Sequence, residues 1–247
     1  MEKIIFGIAG KANVGKDTVG SMINYIYHAG ITHAKFRDWL MNRNAYLNDK
    51  QHMYHFGDTL KDVLSTMFGI DRELFDDRQH KDELYYSMND RKFLTKEELD
   101  NGRWGYFTIF EGNQNMSEFI DIWEDDKIAF KLRTLLQYFA TDVCREHLYY
   151  NIWSYSCINR ILNYFTSIGE NSYNKYAIIA DTRFYNEKQA IEDAVSKHIT
   201  ILINRPNNPI VTNHISEEIE FDTDYVIEND GTLQQLFIKV LQLIKQL

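Results

Sequence analysis

A glycine-rich segment near the start of the chain constrains the fold more than any other feature. Residues 3–9 form a short, almost continuous apolar run, which is typical of a buried central strand in a parallel sheet. Residues 10–18 follow with the sequence Gly-Lys-Ala-Asn-Val-Gly-Lys-Asp-Thr. Apolar residues then recur at three- and four-residue spacing up to Gly30, as on one face of an amphipathic helix. The order strand, glycine turn, helix predicts the opening of an α/β domain.

The glycine turn has the pattern G-x-x-x-x-G-K of a phosphate-binding loop, in the structural context that the motif requires. Glycines let successive backbone N–H groups turn toward an anion, and the N-terminus of the following helix adds positive potential. The alternative is an ordinary glycine turn, but strand, both glycines, lysine and helix together favour phosphate binding. The loop residues predicted to bind ATP are Ala12, Asn13, Val14, Gly15, Lys16, Asp17 and Thr18.

Three oxygen-bearing side chains indicate where Mg²⁺ would bind. Asp17 stands directly after the loop lysine, where the motif usually has serine or threonine, and the hydroxyl comes one residue later at Thr18. Asp181 ends the apolar run 176–180, the position of a Walker-B-type carboxylate. We expect Asp17, Thr18 and Asp181 to hold the metal through water. The alternatives are that Asp17 favours the helix start and that Asp181 is an ordinary acidic residue after a strand.

The rest of the chain continues the alternation of strands and helices. Further strands are predicted at 53–56, 176–180, 199–203 and 225–227. Helices are predicted at about 58–68, 125–147, 151–166 and 233–244, and one more between the strands at 176–180 and 199–203. The predicted fold is therefore α/β: a P-loop kinase fold with a central, mostly parallel five-stranded sheet flanked by helices. We interpret residues 1–247 as one domain with an inserted subdomain at about 58–122, and residues 32–51 as an irregular, exposed excursion.

Charge limits the classes of partner. The chain has 27 Lys and Arg against 36 Asp and Glu, a net charge of −9, which argues against a polynucleotide or an anionic membrane as partner. A small phosphorylated ligand needs only a local cluster of cations. The sequence contains no apolar stretch of about 18 residues and no signal-peptide pattern at its start, so we expect a soluble, cytoplasmic protein.

Several segments carry a resemblance to a known family. Residues 133–142 read Arg-Thr-Leu-Leu-Gln-Tyr-Phe-Ala-Thr-Asp, followed by Arg145 and Trp153, and residues 181–183 read Asp-Thr-Arg, followed by Asn186-Glu187. The Gly-Lys-Asp-Thr end of the phosphate loop, Leu60-Lys61-Asp62 and Asn229-Asp230-Gly231-Thr232-Leu233 complete the pattern. In order and approximate spacing, these segments resemble the bacteriophage deoxynucleoside monophosphate kinase family over most of the chain outside 30–50 and 95–120.

The resemblance implies an enzyme that moves the γ-phosphoryl of ATP onto a deoxynucleoside 5′-monophosphate for DNA precursor supply. It implies Lys16, Arg133, Arg183 and Asp181 as the catalytic residues, with Asp181 positioning the reactants rather than accepting a proton. It also implies that the inserted region binds the monophosphate, that Lys61 and Arg91 clamp its phosphate, and that the enzyme is a homodimer in a host cell's cytoplasm. The residues implied around the acceptor are Lys11, Leu60, Lys61, Arg91, Arg133, Gln137, Thr141, Trp153, Asp181, Thr182, Arg183 and Glu187.

Individual roles within that set are also expectations from the resemblance. Lys11 would substitute for a loop cation that the family often has where this chain has Ala12. Trp153 would form an aromatic wall, although a tryptophan in an apolar helix is also typical of a core. Glu187 or Gln137 would recognise polar edges of the substrate.

Two further segments are expected near ATP. Residues 204–218 hold both prolines and resemble a mobile flap, with Arg205 placed to stack on adenine. The segment 229–232 either contacts the adenine through its backbone or is an ordinary helix N-cap turn.

Two alternative functions remain open at this point. One is another small-molecule P-loop kinase, similar to dephospho-coenzyme A kinase. The other is a P-loop ATPase or nucleotide-sensing module that acts through protein contacts. The Leu-Gln-x-x-x-Thr-Asp and Asp-Thr-Arg segments favour the nucleotide kinase.

Overall fold

The computed structural model describes residues 2–101, 107–110, 127–169, 175–206 and 219–247. The chain divides into two compact units. The first, which we call the sheet unit, comprises Met1–Phe56 and Trp153–Leu247. The second, which we call the inserted unit, comprises Gly57–Ile152.

The described elements alternate between strands and helices along much of the chain. In chain order the strands are β1 (Ile4–Ala9), β2 (Met53–Tyr54), β3 (Tyr85–Ser87), β4 (Lys92–Leu94), β5 (Phe107–Phe110), β6 (Lys127–Phe130), β7 (Tyr176–Thr182), β8 (Lys197–Asn204) and β9 (Tyr225–Glu228). The α-helices are α1 (Lys16–Ala29), α2 (Phe36–Leu47), α3 (Asp58–Phe68), α4 (Lys96–Asp100), α5 (Leu132–Tyr138), α6 (Ile152–Ser167), α7 (Tyr185–Ala194) and α8 (Leu233–Gln246).

The sheet unit is built on a five-stranded sheet in the order β2-β7-β1-β8-β9. All four pairings in it are parallel. The predicted α/β fold with a central parallel sheet flanked by helices is therefore confirmed, and the architecture is consistent with a P-loop kinase fold. The predicted strand at 53–56 is shorter than expected, at two residues, and β1 begins one residue later than the predicted 3–9. The strands β7, β8 and β9 are each longer than predicted.

Side-chain alternation along β1 explains why this strand lies at the centre of the sheet. All six of its residues are buried. Ile4, Phe6 and Ile8 pack with apolar residues of α1, α2 and α8, whereas Ile5 packs with residues of α6 and α7. Because successive side chains of a strand point to opposite faces, a strand covered by helices on both faces must be apolar throughout.

One prediction for the sheet unit was wrong. Residues 32–51 were expected to be irregular, but residues 36–47 form α2, which packs against α1 and α8. Trp39 is fully buried, contacts the rings of Phe36 and Phe237, and donates a hydrogen bond from Nε1 to Ser21 Oγ at 3.2 Å. Most of the other side chains on this helix are exposed, including the apolar Leu40 and Met41, so its buried apolar stripe is too narrow to appear as a strong periodic pattern.

The inserted unit contains a second, four-stranded sheet in the order β4-β3-β6-β5. Strand β3 is antiparallel to both of its neighbours, and β5 and β6 are parallel. The predicted long helix at 125–147 was wrong at its start, where residues 127–130 form β6. From residue 132 the chain is helical as predicted, with α5 at 132–138 and a π-helical segment at 139–145. The short segment at 127–130 is extended because its backbone pairs with β3 and β5, which helical periodicity does not reveal.

Two short helical turns precede β3. A 3₁₀ turn covers Arg72–Phe75 and a π-helical turn covers Gln79–Glu83. The second packs against α5 and against the first. Within the part of the chain that the structure describes, no helix combines the length and apolar character needed to cross a membrane.

Candidate active site

The phosphate-binding loop joins β1 to α1 and depends on its two glycines. Gly10 and Gly15 have φ values of 142° and 100°, which side chains rarely tolerate. A Cβ atom at Gly10 would lie 2.6 Å from the Ile203 carbonyl oxygen, and one at Gly15 would lie 2.9 Å from Asn229 Nδ2. The loop therefore requires glycine at both positions, for conformation and for space.

Lys16, the first residue of α1, folds back across the loop. Its Nζ donates hydrogen bonds to the carbonyl oxygens of Gly10 and Lys11, each at 2.7 Å. Lys16 is only 8% exposed, although its charge requires polar partners. The ammonium group is therefore held at the centre of the loop by neutral backbone oxygens.

Residues that follow β8 and β9 hold the loop in place. Asn229 Nδ2 donates to the Val14 carbonyl oxygen at 2.8 Å, and the Asn229 backbone N–H donates to Asn204 O at 2.7 Å. Arg205 is exposed and donates from Nη1 to Asn13 O at 3.3 Å. Residues 207–218 of the predicted flap lie outside the described residues.

The segment 229–232 leads into α8 as a helix N-cap turn. Thr232 Oγ1 accepts a hydrogen bond from Gln235 N, and the Gln235 side chain accepts from Thr232 N, which forms a capping box. Of the two interpretations of this segment, the structure contains the N-cap turn.

The segment after β2 connects two of the residues expected near magnesium. The His55 ring nitrogen Nε2 lies 2.9 Å from Asp17 Oδ1, and the Phe56 backbone N–H donates to Asp181 Oδ1 at 2.9 Å. Asp17 is exposed, while Thr18 and Asp181 are half-buried. His55 was not among the predicted site residues. Its position just after a strand, at the carboxyl edge of the sheet, was the signal that could have identified it.

The residues after β7 differ in their exposure. Thr182 is fully buried and lies next to Gly7 of β1. Glu187 is 3% exposed, and its carboxylate accepts hydrogen bonds from the backbone N–H groups of Arg183 and Phe184 at 2.8 and 3.1 Å. Glu187 therefore supports the start of α7. Arg183 is half-buried at the same strand end.

Two cations expected at the acceptor are ion-paired within the inserted unit. Arg133, at the start of α5, donates from Nε and Nη2 to the two oxygens of Asp82 at 2.7 and 3.0 Å. Lys61 of α3 forms an ion pair with Asp76. Burial alone would raise the pKa of Asp82, but the hydrogen bonds and charge of Arg133 outweigh it and lower the pKa. The pKa of Asp76 is lowered against burial in the same way by Lys61.

The other acceptor residues expected in this part of the chain occupy varied positions. Gln137 lies one turn after Arg133 on α5 and is exposed, as is Thr141 in the π-helical segment. Arg91 is exposed in the turn between β3 and β4, with φ 51°. Leu60 is 5% exposed on α3, and Trp153, in the sheet unit, is 6% exposed at the start of α6. Both of these apolar side chains are therefore largely withdrawn from solvent.

A phosphate-binding loop after the first strand of a parallel sheet, with its lysine directed into the loop, is typical of the P-loop proteins, which bind nucleoside phosphates. A sequence model of the family described as deoxynucleotide monophosphate kinase matches residues 3–240. The chain belongs to this family, and it is a nucleotide kinase that acts on deoxynucleoside monophosphates. A search of curated proteins finds no significant match. Family membership decides against the two alternative functions that the sequence left open.

Proposed function

We propose that the loop 10–18 binds ATP and that the cations of the inserted unit bind a deoxynucleoside 5′-monophosphate, which receives the γ-phosphoryl group to give the diphosphate. The observation that carries this proposal is the position of Lys16 Nζ, 2.7 Å from two carbonyl oxygens of its own loop. Phosphate oxygens are stronger acceptors for an ammonium group than neutral carbonyls, because the bond is charged on both sides. Lys16 is thus supported as the residue that contacts the outer phosphates of ATP.

The start of α1 favours the same ligand. The first backbone N–H groups of a helix are free to bind an anion, and the helix dipole adds positive potential there. In our proposal Ala12 to Thr18 surround the phosphates, and Arg205, whose position beside the loop is given by its bond to Asn13 O, stacks on the adenine.

The oxygen donors near the loop suit Mg²⁺ only in part. Within the described ranges, no group of three His, Cys, Asp or Glu side chains is arranged to hold a metal ion. Mg²⁺ commonly keeps several waters and takes the rest of its ligands from one or two carboxylates and substrate phosphates. We therefore propose that Mg²⁺ enters with ATP, and that Asp17, Thr18 and Asp181 hold it through water. The ion would reduce the repulsion between the two anionic substrates.

The ion pairs of the inserted unit are suited to exchange. The Arg133 side chain is 52% exposed and that of Asp82 is 24% exposed, and exposed pairs of this kind contribute only about 0.2–1 kcal/mol. A phosphate dianion presents the same two-oxygen geometry as a carboxylate and carries more charge. We propose that the acceptor phosphate replaces Asp82 on Arg133 and Asp76 on Lys61, and that Gln137 contacts the nucleoside.

The reaction needs positioning and charge stabilisation rather than a strong general base, because the acceptor phosphate is already ionised near neutral pH. In this proposal Lys16, Arg133 and Arg183 stabilise the transferring group. Asp181, held by Phe56 N, keeps its strand end in place. A homodimer follows from the resemblance and a cytoplasmic location from the sequence pattern, and both stay predictions.

A coupled assay of ADP release tests the proposal. Purified protein is given ATP, Mg²⁺ and each deoxynucleoside monophosphate in turn, with an acceptor-free reaction as control. We expect at least one monophosphate to raise ADP release well above the control, with the corresponding diphosphate formed in equal amount. If no monophosphate stimulates ADP release, the proposed reaction is wrong.

A further inference from the structure

We propose that Lys81 is a third cation that binds the acceptor phosphate, together with Lys61 and Arg133. The three side chains form what we call the acceptor cluster. The inference rests on the proposed function, because it assigns a new residue to the same acceptor site. Neither the motifs of the sequence nor the family pattern discussed above pointed to Lys81.

The fold of the inserted unit gathers these cations from three separate elements. Lys81 lies in the π-helical turn Gln79–Glu83, which packs against α5, the helix of Arg133. The residue after Lys81 is Asp82, which holds the Arg133 guanidinium. Lys61 comes from α3, which also packs against α5, and the charges of Lys61 and Arg133 both act on the Lys81 ammonium. The three cations therefore lie close together, although 72 positions separate the first from the last in the sequence.

Four carboxylates of the inserted unit are each engaged by Lys61, Arg72 or Arg133. Asp82 is engaged by Arg133, and Asp76 is shared between Lys61 and Arg72. Arg72 is further held by Asp58 and Asp62. Among the residues that the structure describes, no carboxylate lies within ion-pair distance of Lys81. Lys81 is therefore the cation of the acceptor cluster that these carboxylates leave without an ion pair.

The position of Lys81 is favourable for binding a phosphate but not for the stability of the unliganded protein. Lys81 is half-buried, and removing an ammonium group from water is unfavourable unless acceptors replace the water. A phosphate monoester offers three terminal oxygens, enough to accept a hydrogen bond from each of the three cations. A lysine with a purely structural role would be expected to have a carboxylate or carbonyl partner, as Lys239 does in Asp230 and Glu228 O.

The ionisation of Lys81 gives the proposal a further readout. Burial lowers its pKa from the usual lysine value of 10.5, and the charges of Arg133 and Lys61 lower it further, whereas Asp82 and Asp76 oppose that change. Lys81 is charged below its own pKa and loses its charge as the pH rises through it. Phosphate binding by Lys81 should therefore weaken at an alkaline pH below 10.5.

The test compares Lys81→Met, Lys81→Arg and the control Lys96→Met in the full chain. Lys96 is an exposed lysine of the same unit, 3.8 Å from Asp100. For Lys81→Met we expect kcat/KM for the monophosphate to fall about 10- to 100-fold, the effect of losing one charged hydrogen-bond donor. The KM for ATP and the acceptor-free hydrolysis of ATP should stay unchanged. Lys81→Arg should retain most of the activity, and Lys96→Met all of it.

Two further measurements separate binding from a structural role. Lys81→Met should melt at or above the temperature of the wild type, because it removes a half-buried charge that has no acidic partner. The alkaline decline of kcat/KM for the monophosphate should move to higher pH in Lys81→Arg, since arginine stays charged there.

The outcomes distinguish this inference from the function on which it rests. If the wild type shows no monophosphate-dependent ADP release, the proposed reaction fails and this inference fails with it. If the wild type is active and Lys81→Met matches Lys96→Met in kcat/KM, only the role of Lys81 is refuted. An equal loss of activity in Lys81→Met and Lys81→Arg, with a lower melting temperature in both, would also refute it.

Discussion

The phosphate loop and the acceptor cluster hold their cations in different ways. Lys16 is 8% exposed and bonded to the backbone carbonyls of residues five and six positions away. Arg133 has a side chain that is 52% exposed and is bonded to a carboxylate 51 positions away. The first arrangement is built into one local turn, whereas the second depends on the packing of separate elements.

This difference predicts how each site responds to mutation. Carbonyl partners are neutral dipoles that the loop provides in any case, so removing Lys16 leaves no unpaired charge. Carboxylate partners carry full charges, so removing a cation from the acceptor cluster changes the charge balance of the inserted unit. Replacing Lys16 in the loop should therefore affect catalysis and leave stability unchanged. Replacing a cation of the acceptor cluster should change both the affinity for the monophosphate and the stability of the protein.

The largest expected effect is at the loop. Lys16→Ala should lower kcat by about 10³-fold, because it removes the cation proposed to act on the transferring phosphoryl group. The melting temperature should stay close to that of the wild type. Steady-state kinetics measure kcat, and thermal denaturation measures the melting temperature. The matched control is Lys245→Ala, because Lys245 is an exposed lysine near the end of α8. Near-wild-type kcat would show that the loop is not the donor site.

The next effect concerns Arg183, at the carboxyl end of β7. Arg183→Ala should lower kcat/KM for the monophosphate about 100-fold if the guanidinium stabilises the transition state. Its backbone N–H, which donates to Glu187, is unaffected by the change, so α7 should keep its start. Unchanged kcat/KM in a correctly folded variant would exclude this role.

A smaller effect, in the opposite direction, is expected in the acceptor cluster. Asp82→Asn removes the carboxylate that competes with the acceptor phosphate for Arg133. The KM for the monophosphate should therefore fall, by about 3-fold if the competing pair contributes roughly 0.6 kcal/mol. Steady-state kinetics at low and high salt measure the KM for the monophosphate in this variant. Asp100→Asn, which removes a carboxylate of α4, is the control. A raised KM would indicate that Asp82 orients Arg133 rather than competing for it.

The smallest effect concerns acid stability. The pKa of Asp82 is lowered in the folded protein, so its pairing stabilises the fold above the unfolded-state pKa of about 3.9. That stabilisation is lost as the pH falls through the lower folded-state pKa. The melting temperatures of wild type and Asp82→Asn should therefore differ at pH 6 and converge below about pH 3.9. A difference that persists at lower pH would mean that the effect of Asp82 does not depend on its charge.

The sequence predictions were accurate where local interactions decide the structure, and failed where contacts between distant segments decide it. β1, the phosphate loop and α1 were predicted correctly because the signal for each lies within a short stretch of sequence. These signals are an apolar run, two glycines and a helical repeat of apolar residues. α2 was missed because a single buried tryptophan, Trp39, anchors a helix whose other side chains are mostly exposed. β6 was mistaken for helix because strand pairing with β3 and β5 decides its conformation.

The same distinction between local and distant interactions applies to the candidate site. The sequence by itself determined the phosphate loop, the strand ends around Asp181 and the family, because these rest on local chemistry and on residue order. Only the tertiary structure decided that Glu187 supports α7, that His55 joins Asp17, and that the turn carrying Lys81 packs against the helix of Arg133. Glycine geometry and apolar periodicity are properties of neighbouring residues, whereas the partner of a charge is set by which distant elements pack together.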